Sequence, residues 1–256
     1  MKREIKVIKN GLLQVTFLKE RWYAKEQEGG EYIFYPSVTW ISSYYPKGIA
    51  FYRWLANTGW DEAEAIKSSA GDRGNTVHQS AMDFDNGVEI KHDSKYLNNT
   101  SGQMEELSLE EYECILSYDK WHKKVNPQIL ANEMTVFNYE DNYAGTIDKI
   151  AKIGDRVWII DLKTSQDIWE EHKLQLSAYS HSKIDYKSLG ITDKEWEKRG
   201  LAVIQVGYRR NKDKFKFTEV EDKFPVFLAT KVIWENENSD SHPFQKDYPL
   251  SVKIGG

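Results

Sequence analysis

The stretch GTIDKIAKIGDRVWIIDLKT, residues 145–164, places two aspartates inside apolar runs that alternate like β-strands. Gly154-Asp155 interrupts the stretch, and a two-residue loop that begins with glycine is typical of a tight hairpin turn of type I′ or II′. Asp148 lies six residues before this loop and Asp161 lies six residues after it. Because opposed residues of a hairpin are equally far from its turn, the sequence predicts that the two carboxylates face each other across antiparallel strands.

Two like charges in this arrangement destabilise a sheet, because the Cβ atoms of opposed residues are only roughly 4.5–5.5 Å apart. Side-chain alternation places Lys163 on the same face as Asp161. One interpretation is a structural salt-bridge cluster in which Lys163 neutralises the two acids. The other is a divalent cation, since hard cations such as Mg²⁺ take carboxylate oxygens as ligands. We favour the cation site, beside which the lysine would orient or activate a water molecule.

The chain of 256 residues contains 40% hydrophobic and 13% aromatic residues, which excludes an intrinsically disordered protein. Its single cysteine, Cys114, excludes an intramolecular disulfide framework, a cysteine-ligated zinc site and an iron–sulfur cluster. The net charge of −5, taken alone, counts against a nucleic-acid binder, although a phosphate-binding groove needs only local positive charge. The N-terminus has no apolar signal segment and no run has the length of a membrane span, so we expect a cytoplasmic protein without a membrane partner.

The hydrophobic pattern predicts groups of helices and strands within a single domain over residues 1–256. The predicted elements are short strands within 1–41, the last of them YIFYPSVTWI at 32–41, helices at 48–58, 61–84 and 108–125, strands at 129–138, 143–153 and 156–164, helices at 169–184 and 192–199, strands at 201–209 and 214–220, and a helix at 223–236. Residues 86–107 are polar and are expected to form a loop. Gly71 and Gly74 leave open whether 61–84 forms one helix or two.

This order of elements indicates an α/β (α+β) fold with a central mixed β-sheet flanked by helices. The N-terminal strands of 1–41 would be an elaboration of that core. Residues 185–256 would add the C-terminal strands and helix.

Asp148 on one strand, followed by Asp161-Leu162-Lys163 on the next, resembles the restriction-endonuclease-like core of the PD-(D/E)XK nucleases. Further motifs within residues 61–184 are similar to those of the RecB-like members of that superfamily: GTID at 145–148 to the GxxD strand, DLKT at 161–164 to the DxK strand, RGNTVH at 73–78 to the RGxxxH helix, and Gln175 with Tyr179 to the QxxxY helix. YPSVTWIS at 35–42 and FYRWLANTGWDEAEAIKSSAGDRGNTVHQ at 51–79 look like the phage exonucleases and the mitochondrial genome maintenance exonuclease within that group.

The resemblance implies a role for each matching residue. The implied catalytic residues are Asp148, Asp161 and Lys163. The implied metal ligands are His78, Asp148, Asp161 and the Leu162 carbonyl. The residues implied to bind substrate or to brace the site are Arg73, Thr164, Gln175 and Tyr179. Glu133 would add a carboxylate behind the metal ligands or at a second metal ion.

The activity that the resemblance implies is that of a Mg²⁺- or Mn²⁺-dependent exonuclease without an iron–sulfur cluster. It would hydrolyse single-stranded DNA ends during recombination, repair or DNA processing in a bacterial or phage-infected cell. A structure-specific endonuclease on the same fold, a catalytically silent domain that binds DNA or a protein, and an unrelated α/β protein with a structural charge cluster stay open as alternatives. The basic segment 198–216 and FYRW at 51–54 are candidates for the path of the DNA strand, since bases stack on aromatic side chains. The first is equally expected as a solvated hairpin and the second as core.

Overall fold

The computed structural model describes residues 4–8, 12–17, 20–28 and 32–239. The strands are β1 (Glu4–Ile8), β2 (Leu12–Phe17), β3 (Glu20–Glu26), β4 (Tyr32–Pro36), β5 (Lys95–Leu97), β6 (Met104–Glu106), β7 (Gln128–Asn138), β8 (Tyr143–Ile153), β9 (Arg156–Lys163), β10 (Gly200–Val206) and β11 (Phe215–Val220). The helices are α1 (Val38–Ser42), α2 (Ile49–Thr58), α3 (Trp60–Asp85), α4 (Leu109–Val125), α5 (Glu170–Ser180), α6 (Asp193–Glu197) and α7 (Phe224–Glu237). The end of the predicted C-terminal segment, from residue 240, lies outside the described residues.

The central sheet has five strands in the order β11-β10-β9-β8-β7. β9 and β10 are parallel, and the other neighbours are antiparallel. The parallel pair is joined by a long connection that contains α5 and α6, as parallel strands require. The expected mixed sheet flanked by helices is therefore confirmed.

The β8–β9 hairpin keeps the predicted register from its turn as far as Lys149 opposite Ile160. Gly154 in the turn has a φ of +57°, a conformation that glycine adopts without the penalty of a side chain. Asp148 and Asp161 are the next opposed pair, but the backbone pairing stops one step before them. The two strands thus separate where the acidic side chains begin.

A helical layer covers each face of the central sheet. Alternate residues of its middle strand point to opposite sides and therefore pack against different layers. Ile159 of β9 is fully buried in a cluster with side chains of α1, α5 and α7. Its neighbour Ile160 is fully buried in a second cluster, with side chains of α3 and α4. The middle strands are buried on both faces, which explains their nearly continuous apolar sequence.

The four N-terminal strands form a separate antiparallel sheet in the order β1-β2-β3-β4. It meets the central sheet through a small aromatic cluster of Tyr23, Tyr35 and Phe137. The prediction that 32–41 is a single strand is wrong, because the strand ends at Pro36 and residues 38–42 form α1. Ser37 caps this helix, since its hydroxyl accepts a hydrogen bond from the Trp40 amide at 3.1 Å.

The α3 helix runs unbroken through Gly71 and Gly74, so the segment predicted at 61–84 is one helix. A Cβ added at either glycine would meet no atom within 4 Å, so no close approach requires them. The expected loop at 86–107 contains a small antiparallel pair, β5 and β6. Among the described residues, the helices are all too short or too polar to cross a membrane.

Candidate active site

Three carboxylates lie in one row across adjacent strands of the central sheet. In the ladder between β7 and β8, Asn132 is paired with Lys149 and Met134 is paired with Ile147. The register therefore places Glu133 opposite Asp148. The register of the hairpin places Asp148 opposite Asp161 of β9. We call Glu133, Asp148 and Asp161 the acid row.

Glu133 has a left-handed backbone conformation, with a φ of +48°. This conformation costs a residue with a side chain on the order of 1–2 kcal/mol. Glu133 is exposed, and its Oε1 lies 3.7 Å from Nδ1 of His78. Strained backbone conformations cluster at functional sites, and this one lies at a carboxylate close to a histidine.

Asp148 takes the place of a backbone acceptor at the point where the two strands separate. Its Oδ2 accepts a hydrogen bond from the Leu162 amide at 2.8 Å. Its Oδ1 lies 3.6 Å from Nδ1 of His78. The half-buried carboxylate therefore has one oxygen fixed by the neighbouring strand and the other directed toward the histidine.

Asp161 is buried, with only 2% of its surface exposed. Its Oδ1 accepts a hydrogen bond from the Lys163 ammonium at 2.7 Å, whereas its Oδ2 has no hydrogen-bond partner among the described residues. Burial raises the pKa of the Asp161 carboxyl against the opposing effect of Lys163. A buried, unsatisfied carboxylate oxygen is costly in a folded protein, so this atom is well suited to bind a cation.

Lys163 keeps its proton in this environment. Burial alone would lower the pKa of its ammonium, but Asp161 and Asp148 outweigh burial and raise it above the ordinary value. The side chain is half-buried beside the acid row. This favours a role as a charged hydrogen-bond donor over a role as a general base.

His78 reaches the acid row from α3. Its Nε2 lies 2.8 Å from the Leu162 carbonyl, and because a carbonyl only accepts, Nε2 carries the proton. Nδ1 then faces Glu133 and Asp148. Burial lowers the pKa of His78, but these two carboxylates outweigh burial and raise it.

The donor set fits a divalent cation. One ligand atom each from His78, Glu133 and Asp148 lie within 4.8 Å of one another. This group of three does not include Asp161, which is the next carboxylate along the acid row and has an unpartnered oxygen. Carboxylate oxygens with one imidazole suit Mn²⁺ and, with water completing the shell, Mg²⁺.

Tyr179 of α5 is a core residue, and its ring lies directly against β8. It is 5% exposed, and a Cβ added at Gly145 would lie 2.5 Å from its Cε1 atom. The glycine three residues before Asp148 is therefore required by the tyrosine ring. This position favours the bracing role over contact with substrate. Gln175, one helical turn earlier on α5, is half-buried.

Replacing Gly145 by alanine is expected to lower the free energy of unfolding by about 1–3 kcal/mol, because the tyrosine ring must shift within a packed core. Urea unfolding followed by circular dichroism measures this change. Gly71→Ala is the matched control: that glycine lies in a helix with open space around it, so the substitution should be neutral or stabilising. Equal stability of Gly145→Ala and the parent protein would contradict the close contact.

Arg73 and Thr164 lie in a polar cleft that is lined by α3, α4 and the residues that follow β9 and β10. Arg73 donates a hydrogen bond to one oxygen of Glu110 and Arg209 donates to the other, each at 2.8 Å. The two guanidinium groups lower the pKa of Glu110 below its ordinary value. Arg73 is thus paired with a carboxylate, which a phosphate group would have to displace.

His172 lies close to the site, although the sequence analysis did not single it out. It stands in the first turn of α5, where burial and the positive charge of Lys163 lower its pKa to about 4. The lone histidine within HKLQLSAYS, 172–180, gives no signal of its own, because only the packing of α5 against β9 brings it near Lys163.

The depressed pKa of His172 predicts a loss of stability in acid. The unfolded histidine titrates near pH 6.5, whereas the folded one stays neutral until the pH is near 4. Protonation of the unfolded state therefore lowers the free energy of unfolding as the pH falls from about 6.5 toward 4. Urea unfolding at pH 7.5 and pH 4.5 should show a loss in the parent protein that His172→Gln avoids, on the order of 2 kcal/mol. His92→Gln, at an exposed position, should show the parent behaviour. An unchanged pH profile for His172→Gln would contradict the buried neutral imidazole.

No protein-family model and no curated protein sequence matches this chain.

Proposed function

We propose that this chain is a PD-(D/E)XK nuclease that hydrolyses phosphodiester bonds of DNA with Mg²⁺ or Mn²⁺, acting at single-stranded ends. The observation that carries the proposal is the acid row, with its unpartnered buried oxygen, beside an ammonium and an imidazole. A structural charge cluster would be expected to satisfy its own buried groups. The preference for single-stranded ends comes from the family resemblance alone.

Three groups that lie close together would hold the metal ion: the carboxylates of Glu133 and Asp148, and Nδ1 of His78. The unpartnered oxygen of Asp161 would add a fourth ligand from the neighbouring strand. When bound, Mg²⁺ or Mn²⁺ would polarise the scissile phosphate and lower the pKa of a bound water. Donation from Nε2 of His78 to the Leu162 carbonyl fixes the ring and leaves Nδ1 available. This assigns the carbonyl to orienting the histidine, in place of the direct ligation that the resemblance implied.

Lys163 would supply positive charge beside the reacting phosphate. Its ammonium is held by Asp161 at 2.7 Å and keeps its proton, so it is suited to orient the attacking water and to stabilise the charge that develops on phosphate oxygens. The nucleophile's proton would then pass to solvent or to a carboxylate of the row.

The activity is tested with single-stranded DNA labelled at either end, incubated with Mg²⁺, Mn²⁺ or EDTA. We expect metal-dependent trimming that Lys163→Ala slows by roughly 10²- to 10³-fold. Lys194→Ala, at an exposed position on α6, is the matched control and should keep the parent rate. The label that is released first gives the direction of digestion.

Closed circular single-stranded DNA separates the exonuclease from an endonuclease, because only the latter cuts a strand without ends. If neither linear nor circular DNA were cleaved in either metal, the proposal that this chain is a nuclease would be wrong. A protein that binds DNA without cutting it would then be the silent alternative.

A further inference from the structure

The α2 helix exposes an apolar surface that the other described residues leave uncovered. None of its ten residues is buried. Phe51, Tyr52 and Trp54 are each between 39% and 54% exposed, and the ring of Phe51 contacts both of the others. A helix of a globular protein normally buries its apolar stripe, so a clustered aromatic surface of this kind marks an interaction site.

The charge of this segment differs from that of the whole chain. Residues 47–60 include Lys47 and Arg53 and contain no aspartate or glutamate, whereas the chain carries a net charge of −5. The ammonium of Lys47 lies 5.9 Å from the centre of the Phe51 ring. Flat aromatic rings interleaved with cations are complementary to a strand of bases and phosphates.

The surface begins at the edge of the proposed nuclease site. Lys47, just before α2, forms an ion pair with Glu171 in the first turn of α5. The next residue, His172, lies close enough to Lys47, Lys163 and Asp161 for the charge of each to affect its pKa. Lys47 therefore links the Phe51 ring to the end of α5 that lies near Lys163 and Asp161.

We propose that α2 is a base-stacking surface for single-stranded DNA, on which Phe51, Tyr52 and Trp54 contact bases while Arg53 contacts phosphates. This inference rests on the proposed function for the identity of its ligand. It goes beyond that function because it assigns the path by which the strand approaches the site.

The other candidate path, the basic segment 198–216, is a weaker fit. Tyr208 is buried, so its ring is not offered to a base. Arg209 is paired with Glu110, and Arg210 is paired with Asp167 through both nitrogens of its fork. The two arginines that follow Tyr208 are therefore already engaged by carboxylates of the protein itself.

Binding of a fluorescein-labelled oligo(dT) measured by anisotropy in EDTA tests the surface without any cleavage. We expect Phe51→Ala and Trp54→Ala each to weaken binding roughly tenfold. Arg53→Gln should make the negative slope of log affinity against log salt concentration shallower by about one. Tyr139→Ala is the matched control, because Tyr139 is an aromatic residue that is 46% exposed and outside α2. Thermal unfolding of each variant checks that exposed substitutions leave the fold intact.

The outcomes separate this inference from the nuclease proposal. Weaker binding by the α2 variants supports the surface even if the parent protein cuts no DNA, which would overturn the nuclease alone. Cleavage by the parent protein with unchanged binding by the α2 variants would overturn the surface alone. Sedimentation with phosphatidylserine vesicles, or self-association, that depends on α2 while oligo(dT) binding does not would also overturn it.

Discussion

Replacing Asp161 by asparagine is expected to slow metal-dependent DNA cleavage by roughly 10³-fold without unfolding the protein. The substitution preserves shape, and asparagine still offers one oxygen to Lys163, but it removes the negative charge that would hold a cation. The buried Oδ2 of Asp161 has no partner among the described residues, so its replacement breaks no hydrogen bond there. The rate is measured on end-labelled single-stranded DNA in Mn²⁺.

Thermal unfolding gives a second measurement that is independent of cleavage. A cation that binds only the folded protein stabilises it, by about 2.7 kcal/mol at a concentration one hundred times its dissociation constant. We expect Mn²⁺ to raise the midpoint of the parent protein more than that of Asp161→Asn, which keeps His78, Glu133 and Asp148 but lacks the charge of Asp161. In EDTA the variant should be as stable as the parent or more stable, since a buried charge next to Asp148 has been removed.

Asp155→Asn is the matched control, because this exposed aspartate belongs to the turn of the same hairpin. It should keep both the rate and the response to Mn²⁺. A large loss of stability of Asp161→Asn in EDTA would instead show that Asp161 acts mainly as the partner of Lys163. That result would support the structural salt-bridge interpretation over the cation site.

The hairpin that carries Asp148 and Asp161 was predictable because its register depends on local chemistry. A glycine-led two-residue loop fixes which residues oppose each other, and apolar alternation fixes which face they share. The end of the ladder was not predictable. It follows from the hydrogen bond between the Asp148 side chain and the Leu162 amide, which no spacing reveals.

Features that depend on how the elements pack against one another could not be predicted either, because residue spacing does not reveal side-chain contacts. The left-handed backbone of Glu133 arises where β7 passes the separated end of the hairpin. The position of His78 was expected from the resemblance alone, because nothing in the periodicity of α3 says which side chain meets the sheet. The exposure of α2 could not be decided from the sequence, since FYRW is compatible with both a DNA path and a core helix until its neighbours are known.

Breaking the buried ion pair of Asp85 and Lys149 is expected to have the largest effect on stability. Lys149 is 3% exposed and donates a hydrogen bond to Asp85 at 2.5 Å and to Asn132 at 2.8 Å. Tyr118 donates a further hydrogen bond to Asp85 at 2.8 Å, and His122 lies within 3.0 Å of the same carboxylate. Asp85→Ala would leave an ammonium buried without its counter-charge, at a cost of about 3–5 kcal/mol.

Urea unfolding of a double-mutant cycle measures this cost. Asp85→Leu combined with Lys149→Met should recover part of the stability, because two apolar side chains replace the pair without leaving a buried charge. The rest is lost because the buried Tyr118 hydroxyl no longer has its acceptor. The surface pair Lys124 and Asp213 is the matched control, and its loss should change stability by no more than about 1 kcal/mol. Additive single losses would contradict a coupled pair.

The same cycle tests whether the ion pair positions the site. Asp85 lies seven residues after His78 on α3, so both side chains lie on one face of the helix, two turns apart. Asp85 fixes that helix to Lys149, the neighbour of Asp148, while His78 meets Asp148 itself. A double variant that regains part of its stability but responds less to Mn²⁺ would show that the pair sets the approach of His78. An unchanged response would assign the pair to stability alone.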